Sequence, residues 1–234
     1  MIYDTLAKYY DLLVKDDEAT QQWIDFTKRN VAGNYILELA CGSGEITIAL
    51  AVAGYHIYGS DLSEEMLNEA KKKKDATLVS WQQLDMLKLD AKNEYDAVIC
   101  YCDSLNYIDS ELKVQQLFKR VYDALKSDGV FLFDVHSVQR KNEFEMEYIE
   151  EGMLDDIGYQ WTIRHEDDVL YHNFAFYDEN GNMVQEQHCQ YIYDATLLKE
   201  FLENCGFKVE VYTDFTILGV TEGEKIFFVA KKEE

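Results

Sequence analysis

Residues 35–46 read YILELACGSGEI, and this stretch decides the fold. An apolar run meets a carboxylate, Glu38, and then breaks into Ala40-Cys41-Gly42-Ser43-Gly44. Ile46, Ile48, Ala49, Leu50 and Val52 follow at helical spacing. A buried strand, a glycine turn and a helix start form the arrangement that lets backbone approach a nucleotide-like ligand. The dinucleotide fingerprint needs a third glycine or alanine to pack helix against strand beneath a pyrophosphate. Here that position is Thr47. Lys and Ser/Thr do not follow at P-loop spacing either, which speaks against a Walker-type cradle. A carboxylate just ahead of the glycines suits a cationic group better than a phosphate. Alone, the loop also reads as an ordinary strand-to-helix turn, so its neighbours must decide.

Those neighbours continue the pattern. Tyr55–Asp61 (YHIYGSD) reads as a second strand ending in an acid, about twenty residues past the loop, where nucleotide-binding folds hold a ribose. A carboxylate can accept from both ribose hydroxyls. Ser63 reads as an N-cap, with Glu64 and Glu65 in the first turn and Met66, Leu67 and Ala70 behind. A third strand, Leu78–Gln82, leads to Asp85-Met86, and a fourth, Tyr95–Cys100, opens into Tyr101-Cys102-Asp103-Ser104-Leu105-Asn106-Tyr107. A helix near 110–126 precedes a fifth strand, Val130–Val135. Alternating helix and strand patterns from 35 to 135 indicate a doubly wound, Rossmann-like parallel sheet in an α/β fold.

Composition narrows the partners. With 45 acidic against 22 basic side chains the net charge is −23, which disfavours nucleic acid because Lys and Arg contacts to phosphate supply most of such affinity. No run approaches the length of a membrane span. The N-terminal segment lacks the apolar core of a signal peptide. Five cysteines, an odd number without Cys-x-x-Cys spacing, read as reduced thiols in a cytoplasm. Proline is absent, where average usage would supply roughly a dozen.

The run Glu38-Leu39-Ala40-Cys41-Gly42-Ser43-Gly44 resembles the glycine-rich motif of class I S-adenosylmethionine-dependent methyltransferases. Asp61 with its Ser-x-x-Met helix, Asp85-Met86 and the loop after Tyr95–Cys100 are similar to the motifs that follow it in that family. Tyr9-Tyr10-Asp11, Asp103-Ser104-Leu105-Asn106-Tyr107, Gln185-Glu186-Gln187-His188 and Cys205-Gly206-Phe207 resemble bacterial small-molecule members, among them glycine and sarcosine N-methyltransferases. The resemblance implies S-adenosyl-L-methionine as cofactor. Glu38 would meet its methionine ammonium, and Ala40, Cys41, Gly42, Ser43 and Gly44 would admit its backbone. Asp61, with Leu62 and Met66 beside it, would hold the ribose, and Asp85 and Met86 the adenine. Tyr10 would close over it, with Cys102 at the mouth. The acceptor would sit over Asn106 and Tyr107, with His136 and His188 as candidate bases, since histidine titrates near neutral pH. The implied strand order is 3-2-1-4-5-7-6 with the seventh antiparallel. Without proline, the Asn/Asp-Pro-Pro-Tyr motif of amino-methyltransferases and the Pro-Cys nucleophile of cytosine-C5 enzymes are both ruled out. No metal is expected, because the acids near strands four and five lack the Asp-Asn pair of a magnesium-dependent site.

From about 140 to 193 the pattern changes to period-two alternation: Gln160–Arg164, Leu170–Tyr177 and Val184–Tyr193, with Asn180-Gly181 as a hairpin signal. This predicts an antiparallel insertion within one domain spanning 1–234, acting as a cap over the acceptor. A helix over Ala195–Cys205 and strands over Phe207–Tyr212 and Lys225–Ala230 complete the chain. Methyl transfer to a small-molecule nitrogen or oxygen is the favoured function. An RNA-modifying enzyme and a non-catalytic cofactor-binding domain are the alternatives, and the exposed aromatics of the insertion also allow a homodimer.

Overall fold

The computed structural model describes residues 6–155 and 157–233. Local chemistry sets most of its boundaries. After α1 (Leu6–Val14), the Asp16 carboxylate accepts from the N–H groups of Glu18 and Ala19 at 2.9 and 3.0 Å and starts α2 (Asp17–Asn30). β1 (Tyr35–Leu39) runs into the glycine loop and α3 (Glu45–Val52), and β2 (His56–Asp61) follows. Ser63 caps α4 (Glu64–Lys72) by accepting from Met66 N–H at 3.1 Å. β3 (Ser80–Gln83), β4 (Tyr95–Cys100), α5 (Glu111–Ala124) and β5 (Leu125–His136) complete the alternating half. Two strands of this half start two or more residues away from expectation. Ala76–Leu78 forms a single 3-10 turn, so β3 starts two residues late. β5 begins at Leu125 and absorbs Ser127-Asp128-Gly129, with Asp128 in a left-handed conformation at φ +61°.

The insertion is a four-stranded antiparallel meander of β6 (Tyr148–Leu154), β7 (Ile157–Glu166), β8 (Val169–Tyr177) and β9 (Met183–Tyr191). Three strands were expected. β6 escapes a period-two reading because its outward residues Ile149 and Met153 are apolar yet 57% and 68% exposed, while Glu150 points the other way. β9 ends at Tyr191, two residues early. Capped by Asp194, α6 (Ala195–Asn204) leads back to the main sheet through β10 (Phe207–Thr213), β11 (Ile217–Leu218) and β12 (Lys225–Lys232).

The main sheet has the order β11-β10-β12-β5-β4-β1-β2-β3, with β12 antiparallel to both neighbours. This is the expected seven-strand order with one correction, an eighth edge strand. Asp214 and Phe215, at φ +46° and +66°, turn the chain so that Tyr212 pairs with Leu218 and Thr213 with Ile217. Val114, Leu117, Phe118, Leu198 and Leu202 cover one face of the sheet, and Trp23, Phe26, Ile46 and Leu50 the other. α1 instead packs under the meander, where Leu6 and Tyr9 meet Leu154, Phe174 and Phe176. Among the described residues no helix is long and apolar enough to cross a membrane.

Candidate active site

Strand order reverses between β1 and β4, and an open parallel sheet takes its ligand in the crevice beyond the carboxyl ends at such a point. Both rims carry backbone strain. Ala40, Cys102 and Asp103 have φ of +53°, +56° and +57°, a region costing a non-glycine residue about 1–2 kcal/mol. On the β1 rim Glu38 is 3% exposed, and its Oε2 has no hydrogen-bond partner. Burial pushes its carboxyl up to about 8. The buried Thr47 hydroxyl beside it opposes that rise. Asp61 accepts from Gly42 N–H at 2.7 Å through one oxygen and from Ser63 N–H at 2.8 Å through the other, tying the glycine loop to the start of α4. Each oxygen keeps a further lone pair. A Cβ added at Gly42 would meet nothing within 4 Å, whereas one at Gly44 would come 2.5 Å from Trp81. The loop is therefore open on the Gly42 side and packed on the Gly44 side.

α1 is latched onto this loop. The buried Ser43 hydroxyl donates to Asp11 at 2.5 Å, and Lys73 Nζ reaches Asp11 at 2.5 Å, Glu45 at 2.6 Å and Ser43 Oγ at 3.1 Å. Tyr10 lies half-buried at the mouth; burial, then the charges of Cys102, Tyr107, Asp103 and Asp61, push its phenol well up. Cys41 is half-buried, Leu62 is 59% exposed, and Met66 is buried on α4. Asp85 accepts from Leu87 N–H at 3.0 Å and pairs with Lys88 at 3.3 Å, capping a single turn that carries half-buried Met86.

The β4 rim is organised by Asp134 of β5, which is fully buried. Its carboxylate accepts from the N–H groups of Cys102 and Asp103 at 2.8 and 3.1 Å, from Trp23 Nε1 at 3.2 Å and from Lys225 Nζ at 3.1 Å. Lys225, on β12, also pairs with Asp103. Burial works against ionisation of Asp103, but His136 and Lys225 hold its carboxyl well below the usual carboxylate range. The exposed thiol of Cys102 sits on this loop. His136 is 5% exposed, with Nε2 2.9 Å from Gln190 Oε1 and Nδ1 3.6 Å from Asp103. Burial lowers its pKa, against the pull of the Asp103 carboxylate. Asn106 is engaged at both ends of its amide, donating to Tyr191 O at 2.6 Å and accepting from His136 N–H at 3.2 Å.

Over the crevice the meander turns one face inward. His188 and His172 lie opposite each other on β9 and β8. The His188 ring meets Tyr107 edge-on at 6.1 Å and Phe174 at 5.6 Å, with Glu186 3.6 Å from its Nε2. Glu186 also accepts from Leu6 N–H at 3.0 Å, joining meander to α1. Trp161 Nε1 donates to His172 Nδ1 at 3.4 Å. Of the four acceptor-side candidates, Tyr107 and His188 face each other, His136 sits behind Asp103, and Asn106 ties the loop to β9. A separate concavity of about 550 Å³, lined in part by Gly33, Asp96, Asp128 and Lys208, lies at the opposite, amino-terminal edge of the parallel strands.

A family described as a methyltransferase domain matches residues 36–129. A Bacillus subtilis protein named "Putative methyltransferase YqeM" is 35% identical over 244 residues, covering 100% of this chain and 98% of that protein. The chain belongs to the class I S-adenosylmethionine-dependent methyltransferases. A methyltransferase of this kind from Clostridium acetobutylicum superposes with a TM-score of 0.82 at 26% identity, covering 99% of both chains. A glycine/sarcosine N-methyltransferase of Halorhodospira halochloris is 29% identical over 133 residues, 54% of this chain and 50% of that enzyme.

S-adenosylmethionine is the methyltransferase's cofactor, and the residues present fit it. A buried carboxylate with an orphaned oxygen matches the methionine ammonium, and open space at Gly42 admits a ligand against bare backbone. Among the described residues no three His, Cys, Asp or Glu side chains are grouped to hold a metal ion. Sequence reasoning missed Lys225, Lys73 and His172. Trp23 and Asp134 are 111 residues apart, and Lys225 and Asp103 are 122 apart, so no spacing could reveal them.

Proposed function

We propose that this methyltransferase acts on a nitrogen or oxygen of a small-molecule acceptor held between the β4 rim and the meander, which serves as its cap. The observation that carries the reading is Glu38: a carboxylate buried at the end of β1 with one oxygen unpartnered calls for a cation there. The cofactor supplies an electrophilic methyl group on a sulfonium, so the chain's task is alignment and exclusion of water. Glu38 would bind the ammonium, and Gly42 would leave room for the ligand's backbone. Asp61 would accept from the ribose with its remaining lone pairs, and Asp85 and Met86 would flank the adenine. Tyr10 and the Lys73 latch would close α1 over the site. His136 would receive the acceptor's proton, a reading supported by its buried Nδ1, which has no hydrogen-bond partner, and by Asp103 3.6 Å away to stabilise the imidazolium. Tyr107 and His188 would wall the acceptor, while Asn106 would position the loop.

A net charge of −23 supports a small acceptor rather than nucleic acid, and five unpaired cysteines fit a reducing cytoplasm. Calorimetry with S-adenosylmethionine, S-adenosylhomocysteine and NAD, followed by turnover of methyl-labelled cofactor against a fractionated cell extract, tests the reading. Label should enter the low-molecular-weight fraction. Tighter binding of NAD, or label recovered in RNA, would overturn it.

A further inference from the structure

We propose that Gln190, near the end of the cap's last strand, is a positioning residue for methyl transfer: its amide oxygen keeps a proton on Nε2 of His136, so that the ring can take up a proton only at Nδ1. The inference rests on the reading of His136 as the group that receives the acceptor's proton. Gln190 is 6% exposed and His136 5%, so water does not compete for their contacts. The orientation of the amide follows from its other neighbour. Gln190 Nε2 lies 3.5 Å from the backbone oxygen of Asp103, an atom that can only accept, so the NH2 group faces it and the amide oxygen faces the ring. That oxygen stands 2.9 Å from His136 Nε2 and can itself only accept. His136 must therefore donate from Nε2, whether the ring is neutral or charged.

The consequence lies at the other nitrogen. Nδ1 is buried without a hydrogen-bond partner, 3.6 Å from Asp103 Oδ1. In the neutral ring two lone pairs face each other there, and one N–H or O–H laid between them satisfies both. The opposite tautomer would point Nδ1–H at Asp103 and leave no base on that side. Charged and titratable groups reach the ring from several elements. Burial lowers its pKa first; Asp103 on the β4 rim then raises it, Lys225 on β12 lowers it, the Gln190 bond raises it, and Arg140 beyond β5 lowers it. His172 adds a second imidazole from β8 and bonds the same Gln190 side chain. With Nδ1 accepting from Trp161, neutral His172 has its proton on Nε2, which again suits an amide oxygen as partner. The strand end is braced as well: Tyr191 O accepts from the Asn106 amide, whose oxygen accepts from His136 N–H. The cap thus gives the base its tautomer as well as the acceptor its roof.

The test uses the full chain labelled with 15N-histidine, its His136 signals assigned by comparison with His136→Phe. At pH 8 they should report a proton on Nε2 and a bare Nδ1. Gln190→Leu should lose that preference. Gln190→Glu, which keeps an oxygen acceptor, should retain the proton on Nε2 and raise the pKa of the ring. Turnover is read with methyl-labelled S-adenosylmethionine and the low-molecular-weight fraction of a cell extract. Gln190→Leu should slow it about tenfold or more while leaving affinity for S-adenosylhomocysteine unchanged, and Gln190→Glu should move the acid limb of the pH–rate profile to higher pH. A proton on Nδ1 in the unsubstituted chain, a Gln190→Leu protein with the same tautomer, or a glutamate variant that holds Nε2–H no better than leucine overturns the proposal. If the unsubstituted chain passes no label to that fraction, the methyl-transfer reading fails instead, while the histidine signals still decide whether Gln190 sets the tautomer.

Discussion

Replacing Glu38 by glutamine separates the cost of its charge from the use of it. In the free fold burial raises the carboxyl from 4.5 to about 8, and a gap of that size corresponds to about 5 kcal/mol between the two protonation states. The folded chain therefore binds this proton more tightly than the unfolded chain. Stability should fall as pH rises through the interval from about 4.5 to about 8, and the loss should be complete above it. Glutamine mimics the protonated side chain and cannot ionise. Urea unfolding of both proteins at pH 5, 7 and 9 should give nearly equal stabilities at pH 5. At pH 9 the variant should be more stable by about 3–5 kcal/mol. Burial also raises the carboxyls of Asp61 and Asp134; Asp61 lies close enough for its charge to add to the rise at Glu38, so part of the difference between the two curves reports that pair. Binding reads the same group from the other side. A cation on Glu38 forces it to ionise, so cofactor binding at pH 7 should release close to one proton, measured by calorimetry in buffers of different ionisation enthalpy. Glu38→Gln should abolish that release and weaken binding by about 1.5–3 kcal/mol. Parallel pH–stability curves, or cofactor binding without proton release, would refute the reasoning.

Gly42→Ala should cost only about 1–2 kcal/mol of stability, the left-handed penalty, yet weaken cofactor binding more than tenfold; Gly44→Ala should cost more stability because its Cβ meets Trp81 at 2.5 Å. Equal thermal shifts for the two variants would contradict the loop geometry. Asp61→Ala removes the acceptor for Gly42 and Ser63 N–H and should destabilise the free enzyme by about 2–4 kcal/mol in urea, before any ligand is added. An unchanged midpoint would show that the loop holds itself. Lys225→Met leaves the Asp134 carboxylate buried without its cation and should cost about 3–5 kcal/mol, with partial recovery in the Lys225→Met, Asp134→Asn double variant. A double variant no more stable than the single would place the loss elsewhere.

The alternating half of the chain was legible because each strand there carries its own signal. Tyr95–Cys100, apolar at every position but Asp96, emerges as β4 with the same ends, and Ser63 announces α4 through a cap that the structure contains. Legibility failed where tertiary pairing replaces local pattern. β6 is an edge strand with apolar residues facing outward, and β11 is two residues held by a turn of left-handed Asp214 and Phe215, with no glycine to mark it. The cofactor side is legible for a related reason. A residue that ends a parallel strand lies at the crevice by construction, so Glu38 and Asp61 are placed as soon as β1 and β2 are.

The acceptor side has no such shortcut, and Asp134 shows why. Read along the chain, Asp103 and Asp134 are two acids near the ends of neighbouring strands, which invites the question of a divalent cation. In the fold, Lys225 reaches both of them from β12, the antiparallel strand whose pairing with β5 sets Lys225 opposite His136. The positive charge that buried Asp134 and half-buried Asp103 require is thus built into the chain, at a sequence separation of 122 residues from Asp103. The same ion group holds Cys102 and Asp103 in their strained left-handed backbone, through Asp134 and its two accepted N–H bonds. Strain of this kind persists only where the surroundings over-determine it. An acid in a chain of net charge −23 looks like surface, and a lysine on a final strand looks like an edge. Together they set the loop on which Tyr107 is carried toward His188, so the geometry of the proposed acceptor site depends on residues that carry no chemical signature of their own.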